Sequence, residues 1–151
     1  MIKNNEGKFG KYIVQQLTDP GYCSTAEQKE NYAKFARRLL YMDTNIVPGA
    51  FQMNTAWYHS RTMKEQGEHV HSFPEMVGFY GSDPEDPYNL GAEIEFTIEG
   101  ESHLLTKSSL IYMPAGVKHL FKAILKIDKP VFHFSVGVNP EYVADAAPAG
   151  I

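Results

Sequence analysis

From Asn45 to Gly137 the chain runs in short bursts of apolar and aromatic residues, some alternating with polar ones and some continuous. Gly, Pro, Asn and Asp interrupt them. GAFQMNTAWYHS, HVHSF, EMVGFYG, AEIEFTIEGESHLLT, SSLIYMPAGVKHLFKAILKI and PVFHFSVGV are rich in side chains that suit a pleated, half-buried surface. EGE marks a turn between two strands, and Pro-Ala-Gly marks another. GSDPEDPYNLG, residues 81–91, has two prolines, three acids and a glycine at each end, and reads as a loop long enough to cover a barrel mouth. Many short strands at regular spacing predict an all-β sandwich or barrel.

Ahead of Asn45 the period changes. STAEQKENYAKFARRLLYM, residues 24–42, places Tyr32, Phe35, Leu39 and Met42 at helical spacing, with charges on the other face. Ser24 followed by Glu27 reads as a capping box. The expectation is one helix packed outside a β domain. The division that follows is an arm and helix over 1–44, a barrel over 45–140 and a short tail over 141–151, all in one structural domain.

Composition narrows the functional classes. A chain of 151 residues fits a single domain with its own core. A net charge of −4 speaks against non-specific nucleic-acid binding, which needs a basic surface. Cys23 is the only cysteine, so no intramolecular disulfide forms, which fits a reducing compartment. It precedes the expected helix, but no histidine stands near it in sequence to make it a nucleophile. MIKNNEGKFGKY has no apolar core of the signal-peptide kind, and no run reaches membrane-span length. The expected setting is therefore the cytoplasm, with neither membrane nor nucleic acid as partner.

The chemistry concentrates in HVHSFPE, residues 69–75. On a strand, residues i and i+2 face the same side, about 6–7 Å apart. His69 and His71 therefore aim at one point while Val70 turns away. Pro74 ends the strand, and folding back brings the Glu75 carboxylate alongside. Imidazole nitrogen with carboxylate oxygen, and no thiol, suits Mn, Fe, Zn, Ni or Cu.

HVHSFPE followed by PAGVKH, residues 114–119, resembles the two cupin motifs, His-x-His with a Glu three or four residues on, and Pro-x-Gly-x-x-His. The resemblance covers the chain from about Pro48 to Gly137. It implies a double-stranded β-helix, or jelly-roll, with His69, His71, Glu75 and His119 as ligands of one divalent transition metal. Three imidazoles and a carboxylate would leave positions open for substrate, as at a catalytic centre. Glu93 stands seven residues before Gly100 and matches the family's Glu-to-Gly spacing better than Glu75 does. Glu75 is preferred for its distance from His71.

Other groups are weighed beside these. Glu93 and Glu95 share one strand face, and a solvated outer face is the ordinary reading. His59 and His133 lie in strand-like segments and read as buried, hydrogen-bonded histidines. Were they to face the barrel interior, they would join Glu75 as catalytic candidates able to hold substrate or move a proton. His103, after the EGE turn, reads as exposed. Two functional classes follow. One is a metal-dependent cupin enzyme acting on a small carbonyl, enol or phenolic substrate. Dioxygenase-type chemistry leads there, with a non-redox hydrolase, isomerase or decarboxylase as alternative. The other is a non-catalytic module that binds a sugar or small ligand. The N-terminal arm is expected to support a homodimer.

Overall fold

The inner surface of this protein is written most plainly in two strands whose residues are alternately buried and half-buried along their whole length. These are β2 (Gln52–Tyr58) and β10 (Val131–Gly137). Together with β1 (Ala36–Met42), β5 (Glu75–Gly81) and β8 (Ser109–Met113) they form a five-stranded sheet in the order β1-β2-β10-β5-β8. The structure is a computed structural model that describes residues 1–19, 25–64, 67–139 and 145–146.

A second sheet lies opposite. It contains β4 (His69–Val70), β6 (Asn89–Ile98), β7 (Glu101–Lys107), β9 (His119–Ile127) and β11 (Asp145–Ala146) in the order β11-β4-β9-β6-β7, and β3 (Thr62–Met63) pairs with β9. Neighbouring strands in both sheets are antiparallel. The core lies between the sheets. Ala56, Tyr58, Val77, Phe79, Met113 and Val131 come from the first, and Ala92, Ile94, Phe96 and Ile124 from the second. Each fully buried Phe, Leu or Ile in such a core contributes roughly 1.5–3 kcal/mol.

The expected helix over 24–42 is only partly present. The helix α1 covers Ala26–Ala33. Its capping box uses Thr25 and Gln28: Gln28 N–H donates to Thr25 Oγ1 at 3.1 Å and Thr25 N–H to Gln28 Oε1 at 3.2 Å. Ser24 and Cys23 lie outside the described residues. From Ala36 the chain is strand β1, paired with β2, so the barrel begins before residue 45. A register shift between Arg38 and Leu40 explains the false helical period. Ala36 and Arg38 pair with the inward Tyr58 and Ala56. Beyond the shift it is Tyr41, opposite Asn54, that returns to the interior. One extra residue in a two-residue period mimics helical spacing. Leu39, expected on the packed helical face, is 44% exposed.

Most of the expected tail over 141–151 lies outside the described residues; within it, β11 pairs with β4. No helix among the described residues is long and apolar enough to cross a membrane.

Candidate metal centre

Antiparallel register turns the five-stranded sheet into a ladder of inward-facing rows. The first row runs Gln52, Gly137, Glu75, Met113; the second Asn54, Ser135, Val77, Ile111; the third Ala56, His133, Phe79, Ser109. Successive inward rows are about 6.6 Å apart along the strands. Glu75 opens β5 and so stands at one end of the barrel. In the opposite sheet, His69 of β4 faces His119, the first residue of β9. His71 follows β4 directly. The four side chains meet, each offering one ligand atom within 4.8 Å of the others.

The turns that hold this arrangement come from local sequence. Val117 N–H donates to Pro114 O at 3.2 Å, and Gly116 has φ +81°. That is the conformation demanded at the third position of a type II turn, where glycine meets no steric penalty. Gly116 N–H also donates to His71 O at 2.9 Å, which ties the second motif to the first. Glu68 Oε1 accepts from Gly100 N–H at 2.9 Å, and Glu99 Oε1 from Lys118 N–H at 2.8 Å. The hairpin between β6 and β7 thereby braces the residues beside His69 and His119. Phe73 stacks on His71 at 4.9 Å between ring centroids.

The hydrogen-bond geometry tests whether a cation suits this pocket. His119 Nδ1 lies 2.9 Å from Val117 O, and a carbonyl only accepts, so Nδ1 carries the proton. In the neutral ring Nε2 is then a lone pair, yet it faces Glu75 Oε2 at 2.9 Å. His71 Nε2 faces the same oxygen at 2.9 Å. Lone pairs aimed at a carboxylate repel unless a positive charge lies among them. Ligands held about 2.0–2.2 Å from one ion at right angles stand about 3 Å apart, so the separations fit a divalent metal.

Burial works against the Glu75 carboxylate, but hydrogen bonds from His119 and His71 outweigh it and hold its pKa at about 2. Burial pushes His69 down to about 4, helped by repulsion from His119 and His71 and opposed by Glu75. At neutral pH His69 is uncharged, with a lone pair to offer. The residues present fit a metal, and His69, His71, Glu75 and His119 are those that would hold it.

The remaining candidates fall elsewhere. Glu93 and Glu95 point away from the buried Ala92, Ile94 and Phe96 on β6, and Glu95 accepts from Ser102 Oγ at 2.5 Å. Glu93 therefore stands apart from the cluster. His59 is exposed, with Nδ1 2.8 Å from Ser60 Oγ. It follows Tyr58 at the far end of β2 from Gln52, so the reading of it as a buried or interior group is corrected. His133 is buried in the third row, stacked between Tyr58 and Phe79 with centroids 4.9 Å away on each side. Its Nδ1–H donates to Gly78 O at 3.0 Å. His103 is largely exposed and pairs with Glu101.

The loop after Gly81 is also misplaced for a lid. It leaves β5 at the end opposite Glu75, and the Asp83–Lys129 contact of 2.7 Å and the Ser108 Oγ–Pro87 O bond of 2.7 Å hold it there. Sequence reasoning passed over Gln52 and Asn54, which are buried in the first two rows. The available signal was FQMNTAW, where Met53, Thr55 and Trp57 take the outward positions and polar residues the inward ones.

The two sheets form a double-stranded β-helix, and the four converging side chains at its end could hold a metal ion. No family model matches the sequence, and no curated protein matches it. Among solved structures, oxalate oxidase in complex with the substrate analogue glycolate has TM-score 0.53 and 14% identity, covering 91% of this chain and 64% of that one. A DMSP lyase from Ruegeria pomeroyi DSS-3 has TM-score 0.46 and 17% identity, covering 94% of this chain and 65% of that one. An uncharacterized conserved protein with a double-stranded beta-helix domain, from Klebsiella pneumoniae subsp. pneumoniae, has TM-score 0.48 and 13% identity, with coverage of 89% and 98%. The chain spans less than two thirds of the oxalate oxidase and DMSP lyase chains. The oxalate oxidase likeness bears on the fold alone, a double-stranded β-helix.

Proposed function

We propose that this chain is a metal-dependent enzyme acting on a small oxygenated substrate, with redox chemistry of the dioxygenase type as its leading reaction. The single observation that carries this reading is Glu75 Oε2 facing two imidazole nitrogens at 2.9 Å, with His69 beside them. When bound, a divalent ion supplies Lewis acidity toward a substrate oxygen and, if redox-active, a route for electrons.

The chain's own residues prepare that chemistry. His69, His71 and His119 present lone pairs from a buried pocket. Glu75 is the one carboxylate among the four, so with neutral imidazoles the ligand set carries one negative charge. That leaves a divalent centre with net positive charge, which favours a carboxylate, enolate or phenolate oxygen. Phe73 and Phe96, stacked on His71 and His119, keep water from the flanks of the rings. Fixed ligands surrounded by apolar rings need little reorganisation during reaction. The glycolate held by oxalate oxidase is a small oxygenated acid of the proposed kind.

Metal analysis of protein purified without chelator tests the reading first, and about one transition-metal ion per chain is expected. Dioxygen uptake is then measured with keto acids, hydroxy acids, diketones and phenols, and uptake should vanish in His71→Ala. Protein that takes up no transition metal overturns the proposal. Full metal with no dioxygen consumed moves the assignment to a hydrolase, isomerase or decarboxylase.

A further inference from the structure

Gln52 is fully buried in the first inward row, and neither its Oε1 nor its Nε2 has a hydrogen-bond partner among the described residues. The neighbouring row shows the ordinary outcome, where Asn54 Oδ1 accepts from Arg38 at 2.7 Å. A buried amide without partners is disfavoured by more than a hydrogen bond's net worth, and it cannot escape by changing its protonation. Such groups persist where something other than the fold uses them.

The position of Gln52 says what that use is. It pairs with Gly137, and Gly137 pairs with Glu75. Two strand spacings, about 9–10 Å, separate the backbones of Gln52 and Glu75, and both side chains reach inward. Gly137 between them contributes no side chain. A Cβ there would stand 2.6 Å from Phe73 Cε2 and 3.4 Å from Gln52 Oε1. The amide therefore shares the space over Gly137 with the ring that stacks on His71. With Gln52 and Phe73 both lying against Gly137, any molecule that reaches the amide from the ligand cluster has to be short.

We propose that Gln52 is a positioning residue for the substrate of the metal centre. Its carboxamide binds the second oxygen of a short oxygenated acid whose first oxygen reaches the ligand cluster. An amide both donates and accepts, so it suits a carboxylate or a hydroxyl. This assignment rests on the metal reading given above.

The test loads the full chain with manganese(II) and measures metal content, thermal stability and the binding of glycolate, oxalate and pyruvate. Gln52→Leu and Gln52→Met are compared with the parent. Both variants should keep the metal. Their Tm should hold or rise by about 3 °C, since an unsatisfied amide has gone. The Kd for the best-bound acid should rise at least about tenfold, as expected for a lost hydrogen bond to a charged group. A Kd within about twofold of the parent's overturns the proposal while leaving the metal centre standing, and is the result expected if ordered water alone satisfies the amide. A fall in Tm or loss of soluble protein in both variants overturns it too, because the amide then serves the fold. Metal-loaded parent that binds none of the three acids removes the substrate class. Parent that takes up no metal removes the reading beneath it.

Discussion

His71 and His133 are both buried inside one barrel, yet their rings are put to opposite uses. His71 meets a carboxylate and two further imidazoles at the barrel's end. His133 has its N–H tied to a strand carbonyl and its faces covered by Tyr58 and Phe79. Burial alone therefore says little about a histidine. What separates the two is where the lone pairs point, and that depends on what each N–H is bonded to. Converging lone pairs call for a cation; a stacked ring with its N–H satisfied is core.

The largest expected effect breaks this contrast if it fails. His71→Ala should lower metal content by more than about tenfold, whereas His133→Ala should keep it at the parent's level. Equal metal in parent and His71→Ala would erase the distinction. Next comes pH. Burial lowers His133 to about 4; Arg38 and Lys64 add to the shift, while the Gly78 carbonyl and Glu75 oppose it. The unfolded chain binds that proton first, near pH 6.5, so stability is complete above 6.5 and is lost as pH falls toward 4. The loss amounts to roughly 3 kcal/mol for His133. His69 adds a second proton in the metal-free protein, over the same window. Denaturant titrations of metal-free His133→Phe across pH 7 to 4 should show about half the parent's slope. An unchanged slope would mean that His133 is not held neutral by its surroundings.

A smaller effect sharpens the first region. Gly137→Ala forces Phe73 aside and should destabilise the fold by about 1–3 kcal/mol. It should weaken metal binding as well, through the ring stacked on His71. Metal affinity equal to the parent's would show that Phe73 does not orient that ligand. The smallest effect concerns the loop at the other end. Lys129→Ala removes an exposed, solvent-screened ion pair with Asp83 and should leave metal content and substrate affinity unchanged. A change in either would return the loop to the site.

The convergence of His69, His71 and Glu75 was legible from spacing, and that of His119 with them only from the resemblance of HVHSFPE and PAGVKH to the paired cupin motifs. A two-residue strand period aims the first pair together, Pro74 reverses the chain, and a Pro-Ala-Gly turn presents His119. The inward face of β6 was equally legible, because Ile94 and Phe96 alternate with Glu93 and Glu95 without interruption. Strand β1 was not. The bulge near Leu39 breaks the period that would have announced a strand, and Arg37 and Arg38 read as one charged helical face. The exposure of His59 escaped too, since a strand-like segment does not say where the strand stops.

What the chain determined alone was therefore local: alternation, turn chemistry and the ligand types set at short spacings, each dictated by backbone geometry within a few residues. Tertiary structure decided everything that depends on register between distant strands. It put Gln52 in the same row as Glu75, seated His133 between two rings, placed the acidic loop at the end away from the ligands, and set one carboxylate oxygen against two imidazoles. Cross-strand pairing creates those neighbours, and no periodicity within a single strand encodes its partner.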